Sequence, residues 1–156
     1  MISATSDPSR DLVVALQALD LQFSYVKDAQ GKGYWHVPFR EVILTFYAGG
    51  SATTVGITAV LNGQGNAGGL PSREEVTAFG LSPDTMASLL RGNSALGMAK
   101  VSVADGMISV STEFPNAAIN RASVEVAIAH VLHAVEYVRT LLGEVRGVAS
   151  AAPTGP

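Results

Sequence analysis

The feature that most limits what this chain can become is a pair of alternating runs that reverse at Asp105-Gly106 and lead into one long amphipathic segment. Lys100 to Val103 and Ile108 to Thr112 alternate across Ala104-Asp105-Gly106-Met107. Asp-Gly supplies the positive φ angles of a type I′ turn, whose twist matches that of paired strands. That register sets Val103 opposite Ile108 and Val101 opposite Val110, with all four on one side. Phe114-Pro115-Asn116 ends the second strand. From Asn120 to Leu142, the apolar residues Val124, Ile128, Val131, Val135, Val138 and Leu142 recur at spacings of 4, 3, 4, 3 and 4. The spacing predicts a single helix about 33 Å long at 1.5 Å per residue, laid with its seam over the hairpin. Gly143 reads as its C-cap, and residues 143–156 read as a disordered tail of small residues, Pro and Gly.

Upstream, residues 1–7 read as a flexible N-terminus, with Asp7 capping a helix whose first position is Pro8. Leu12, Val13, Leu16 and Leu19 follow at helical spacing. Leu21, Phe23 and Tyr25 then alternate with Gln22 and Ser24, predicting a strand. After a polar turn from Lys27 to Gly33, a second strand sets Trp35, Val37 and Phe39 on one face. Pro38 inside it predicts an edge position. Val42 to Tyr47 and Val55 to Leu61 give two more strands, separated at Gly49-Gly50. Ser72 and Glu75 match a capping box, and Ser82-Pro83-Asp84 starts a further short helix. That helix sets Met86, Leu89 and Leu90 on its apolar face and ends at Gly92-Asn93. The order predicts an α+β fold, α-βββ-α-ββ-α, with an antiparallel sheet of five or six strands packed on helices. No strand–helix–strand unit recurs, which argues against a parallel doubly wound sheet. The chain length of 156 residues fits one domain, placed at 8–142.

Composition removes several function classes. There is no cysteine, so disulfides, thiolate zinc sites and cysteine nucleophiles are excluded. Ten basic residues are dispersed from Arg10 to Arg146, the net charge is −3, and no phosphate-binding run exists. A nucleic-acid partner is therefore not expected. No apolar run approaches the roughly 20 residues of a membrane span, and MISATSDPSR lacks a signal-peptide core. The expectation is a cytoplasmic protein.

Candidate chemistry is sparse. Gly63-Gln64-Gly65-Asn66-Ala67-Gly68 fits G-x-G-x-x-G, but Leu70-Pro71 intervenes before the next helix and no parallel strand follows. A flexible loop is the better reading, and no cofactor is expected. His130 and His133 lie three apart on the long helix, a spacing that can hold a metal inside a bundle. His36 is the only other histidine, so a solvated polar edge is the simpler account. The alternative function they allow is a small-molecule or metal-binding sensory domain using that helix edge. The acids at Glu74, Glu75, Asp84, Asp105 and Glu113 sit at caps and turns, and no nucleophile elbow accompanies them. No catalytic residue and no metal site is assigned.

One run asks for a partner. In Val42 to Tyr47 both faces are apolar, with Val42, Leu44 and Phe46 on one and Ile43 and Tyr47 on the other. A strand in a sheet covered on one side alternates more cleanly. Either another part of the chain covers the second face, or that face meets another protein.

Leu89-Leu90-Arg91-Gly92-Asn93-Ser94, Ala99 to Val103, Asp105-Gly106, Ile108 to Thr112 and the long helix together resemble the YbjN-like family, itself similar to the type III secretion chaperone fold. In that family a helix ends near an Asn, a core strand follows, a D-G turn reverses it, and a long helix closes the chain. The resemblance covers most of residues 8 to 142 and departs at the Gly-rich stretch 62–69 and the run 21–26. It implies a non-catalytic bacterial protein-binding domain, chaperone-like or regulatory, acting as a homodimer. Ile43, Tyr47 and Tyr34 are the residues assigned to partner binding, on the pattern alone. Because the hairpin uses up the helix seam, a partner must dock elsewhere, and the Val42–Tyr47 strand is the expected place.

Overall fold

The computed structural model describes residues 8–40, 42–48, 53–62 and 70–151. The first helix, α1 (Pro8–Ala18), buries Leu12, Ala15 and Leu16. Its expected cap, Asp7, lies outside the described residues, as do the rest of 1–7, Gly49-Gly50, the 63–68 glycine pattern and residues 152–156. Four strands follow as a meander: β1 (Ser24–Lys27), β2 (Gly33–Phe39), β3 (Val42–Ala48) and β4 (Thr54–Val60). Two short helices, α2 (Arg73–Phe79) and α3 (Pro83–Gly92), lead to β5 (Lys100–Ala104) and β6 (Met107–Pro115). A single 3₁₀ turn over 116–118 precedes α4 (Arg121–Ala151). The six strands form one antiparallel sheet in the order β1-β2-β3-β4-β6-β5.

The hairpin forms in the expected register, with Val101 opposite Val110 and Val103 opposite Ile108. Asp105 and Gly106 take φ of 50° and 75°, the left-handed pair a type I′ turn demands. Three further contacts fix the turn. Asn62, at the end of β4, donates to the Gly106 carbonyl at 2.6 Å and accepts from the Ile108 N–H at 2.8 Å. The Arg73 guanidinium donates to the Asp105 carbonyl at 3.1 Å. The capping box is complete, with Ser72 and Glu75 bonding each other's backbone N–H, so α2 starts where it can brace the turn.

The α4 seam is buried along its length from Val124 to Leu142, packed on β4, β5 and β6. Asn120 caps it reciprocally with Ser123: the Ser123 N–H donates to Asn120 Oδ1, and the Asn120 N–H to Ser123 Oγ. The sheet surface beneath comprises Trp35, Val37, Leu44, Phe46, Ile57 and Ala59, continued by Ile108, Val110 and Phe114. One side of the sheet therefore carries the core.

Four expectations are corrected. The helix does not stop at Gly143 but runs to Ala151. A capping glycine works by adopting left-handed backbone, and Gly143 does not. The first strand begins at Ser24, not Leu21; Leu21 and Phe23 pack against the core ahead of it. On α3, Leu90 is 62% exposed, and the buried stripe is Thr85, Leu89 and Gly92. Finally, β2 is an interior strand, flanked by β1 and β3. The Asp28 N–H bonds the Lys32 carbonyl at 2.9 Å, so by antiparallel alternation the backbone groups of Tyr34, His36 and Pro38 face β1. Pairing with β1 ends at Ser24 opposite His36, and Pro38 lies one step beyond, where no ladder bond is lost.

Candidate protein-binding surface

With the helices on one side, the outer side of the sheet presents the alternate residues of each strand. Register places Tyr34, Tyr47, Gly56 and Glu113 in one row across β2, β3, β4 and β6. Ile43 stands four residues along β3 from Tyr47, opposite Pro38, and is 58% exposed. The three sequence-assigned residues, Ile43, Tyr47 and Tyr34, thus share one bare face. Because β3 is interior, its availability is through the face and not through a backbone edge.

The two tyrosines are held, not free to swing. The Tyr47 ring lies across Gly56, where any Cβ would collide with it, and its hydroxyl donates to the Glu113 carboxylate. Burial is the main reason its pKa is raised above the ordinary 10.0, and the Glu113 charge and hydrogen bond add to it. Tyr34 donates to Asp28 Oδ2 at 3.2 Å, and the Lys32 ammonium sits 5.9 Å from its ring centroid. Asp28 also accepts from the backbone N–H groups of Gln30 and Lys32, at 2.9 and 2.8 Å. The bond from Lys32 is the largest cause of a lowered Asp28 pKa. The face is consequently a fixed aromatic surface with its nearby carboxylates already engaged.

A second surface escaped the sequence reading. Between α1 and β1 lies an open depression of ≈ 440 Å³ whose lining includes Val13, Val14, Phe23, Tyr25 and Trp35. Val14 and Tyr25 are 56% and 52% exposed. The Tyr25 and Trp35 rings pack with centroids 5.1 Å apart, tilted by 50°. The sequence signal was available: Val14 falls off the Leu12–Leu16 stripe, and Tyr25 continues the alternation of Leu21 and Phe23. Every residue of β1 is exposed, and Val26 projects beside Tyr34 onto the bare face. By the same alternation that frees Pro38, the backbone groups of Tyr25 and Lys27 point outward from the sheet.

His130 and His133 border a shallow depression of ≈ 270 Å³ with Val126 and Ala129. Among the described residues, no group of three or more His, Asp or Glu could hold a metal ion there or elsewhere. His130 packs against Gly97, and the Tyr137 hydroxyl two turns further donates to the Ser88 carbonyl at 2.8 Å. Among the described residues, no helix is long and apolar enough to cross a membrane.

No family model and no curated protein matches the chain. Solved structures do. An uncharacterized protein from Methanothermobacter thermautotrophicus is 13% identical, with a TM-score of 0.65 over 88% of this chain and 98% of that one. The HopA1–SchA chaperone–effector complex matches at 12% identity and TM-score 0.58, over 85% of this chain and 94% of that one. The Yersinia pestis type III secretion chaperone SycH, in complex with a stable fragment of YscM2, matches at 10% and 0.57, over 85% and 99%. The fold is that of the type III secretion chaperones. At these identities the likeness speaks for the fold.

Proposed function

We propose that this chain is a non-catalytic, chaperone-like or regulatory protein-binding module of the YbjN-like kind. It acts as a homodimer in the bacterial cytoplasm, through a single domain over residues 8–142. The observation that carries this reading is β1, an exposed edge strand with apolar surface on both of its sides. An extended segment of a partner laid along β1 would bond the outward groups of Tyr25 and Lys27. Its alternate side chains would enter the depression at Phe23, Tyr25 and Trp35 on one side. On the other they would meet Val26, and a partner body that continues over the outer face would cover Tyr34, Tyr47 and Ile43. Strand addition of this kind draws affinity from the backbone and specificity from the alternating pockets. Two of the structural relatives are chaperones solved with bound proteins, which supports the same role.

The test is affinity capture from a bacterial lysate with mass spectrometry, followed by binding of each recovered protein to variants of the chain. Val26→Asp and Ile43→Asp should each weaken a true partner at least tenfold, about 1.4 kcal/mol. Both residues are exposed, so circular dichroism should stay native. A chain that is strictly monomeric by light scattering and captures nothing would sink the proposal.

A further inference from the structure

A sheet with two edges has two places where another strand can add, and this sheet treats them differently. Asn93, just past the end of α3, directs its carboxamide at β5. Its Oδ1 accepts from the Val101 N–H at 2.7 Å, and its Nδ2 donates to the Val101 carbonyl at 3.1 Å. One side chain thereby satisfies both outward groups of one edge residue, in the geometry a peptide group of a neighbouring strand would use. The other edge, β1, has no such cover among the described residues, and the outward groups of Tyr25 and Lys27 stand open to a strand.

The placement of Asn93 is built from several sides. Gly92 must lack a Cβ because the Tyr137 ring occupies that space. This seats the end of α3 against α4. The Lys100 ammonium donates to the Asn93 and Gly97 carbonyls, both at 2.8 Å, and ties the 93–99 loop back onto β5. Nor is the side chain needed to end the helix: the backbone N–H of Asn93 already bonds the Leu90 carbonyl at 3.2 Å. A residue that merely closed a helix would have no reason to pair with both groups of a residue eight positions on.

We propose that Asn93 closes the β5 edge, standing in for a strand so that β5 cannot accept the open β1 edge of a second copy of this chain. The occupant held off is another copy because each molecule carries the complementary open edge. Pairing of β1 to β5 is head-to-tail, and such contacts build rings or open chains of many copies instead of a two-fold dimer. The device rests on the geometry of the two sheet edges and stands whether or not the partner reading above holds.

The experiment is multi-angle light scattering across a range of concentrations, with circular dichroism to confirm folding. Asn93→Ala should fold and show a mass that rises with concentration to at least twice that of the parent. Adding Lys27→Pro, which removes an outward N–H of β1, should return the mass to the parent value. A folded Asn93→Ala protein of unchanged mass at every concentration overturns the proposal, as does a mass rise that Lys27→Pro leaves intact. Should Asn93→Ala fail to fold, Asn93→Ser, which keeps an acceptor for the Val101 N–H and loses the donor, is read the same way. Failure of both to fold also overturns the proposal, since Asn93 would then be a folding residue and not an edge guard.

Discussion

Gly106 shows how little freedom a single position has in this molecule. Its φ of 75° suits glycine, and a Cβ there would lie 2.6 Å from the Arg73 backbone carbonyl besides striking the Thr77 hydroxyl. Backbone cannot swing aside as a side chain can. Gly106→Ala should therefore cost about 2 kcal/mol, combining left-handed strain with overpacking, as read by urea unfolding. Asn62 makes the complementary case. It is buried and bonds two backbone groups of the same turn, so Asn62→Leu strands both and should cost about 3 kcal/mol. Tyr47 gives a pH signature. Its pKa is raised in the folded protein, so the folded state favours the protonated phenol. That contribution is fully present below pH 10.0, the ordinary tyrosine value, and is lost as pH rises through the higher folded value. The stability difference between the parent and Tyr47→Phe should shrink with alkaline pH above about 10, followed by chemical denaturation at each pH. A difference that grows with pH would place Tyr47 in a different environment.

The elements that could be read directly were those whose signals are local and redundant. The β5–β6 hairpin has both a turn dipeptide and two alternating runs, and α4 carries a seam of six apolar residues, every one buried. Val131 sits at the centre of that seam with no exposure, so Val131→Ala should destabilise the protein by about 2 kcal/mol without changing its helix content. The reading failed where a local rule was overridden by what lies next door. Pro38 marks an edge by the usual rule, yet β2 is interior and only the far stretch beyond Ser24 is unpaired. Gly143 would cap a helix if it turned left-handed, but the helix continues through it. Leu90 fits an apolar stripe by spacing, while Thr85 takes the buried place because its hydroxyl finds the Ser82 hydroxyl at 2.8 Å. The candidate site divides the same way. The outward placement of Ile43 and Tyr47 was legible because β3 is apolar on both faces, a property of one strand. The α1–β1 depression left only partial marks, Val14 off its helix stripe and Tyr25 in the alternation, because its concavity arises where α1 meets β1 and β2.

At the scale of the whole molecule, the question is whether the bare face is truly bare. Ile43 and Val60 are 58% and 44% exposed, while the described helices pack against the opposite side of the sheet. If solvent or a partner meets these residues, replacing them removes little that the fold depends on. The pair Ile43→Thr and Val60→Thr keeps β-branched side chains, which suit a strand, and exposed substitutions of this kind usually stay within about 0.5 kcal/mol each. The doubly substituted protein should therefore keep the parent's unfolding midpoint while its affinity for a captured partner falls at least tenfold. The two measurements together discriminate what either alone cannot. A loss of more than about 2 kcal/mol would mean that another part of the same chain covers this face, since burying an aliphatic side chain contributes on that scale. Retained stability with retained affinity would move the binding surface to the α1–β1 side, where Val14→Asp becomes the deciding substitution. Retained stability with lost affinity is the expected result, because the same sheet can devote one face to its core and the other to a partner only if the two are energetically separate.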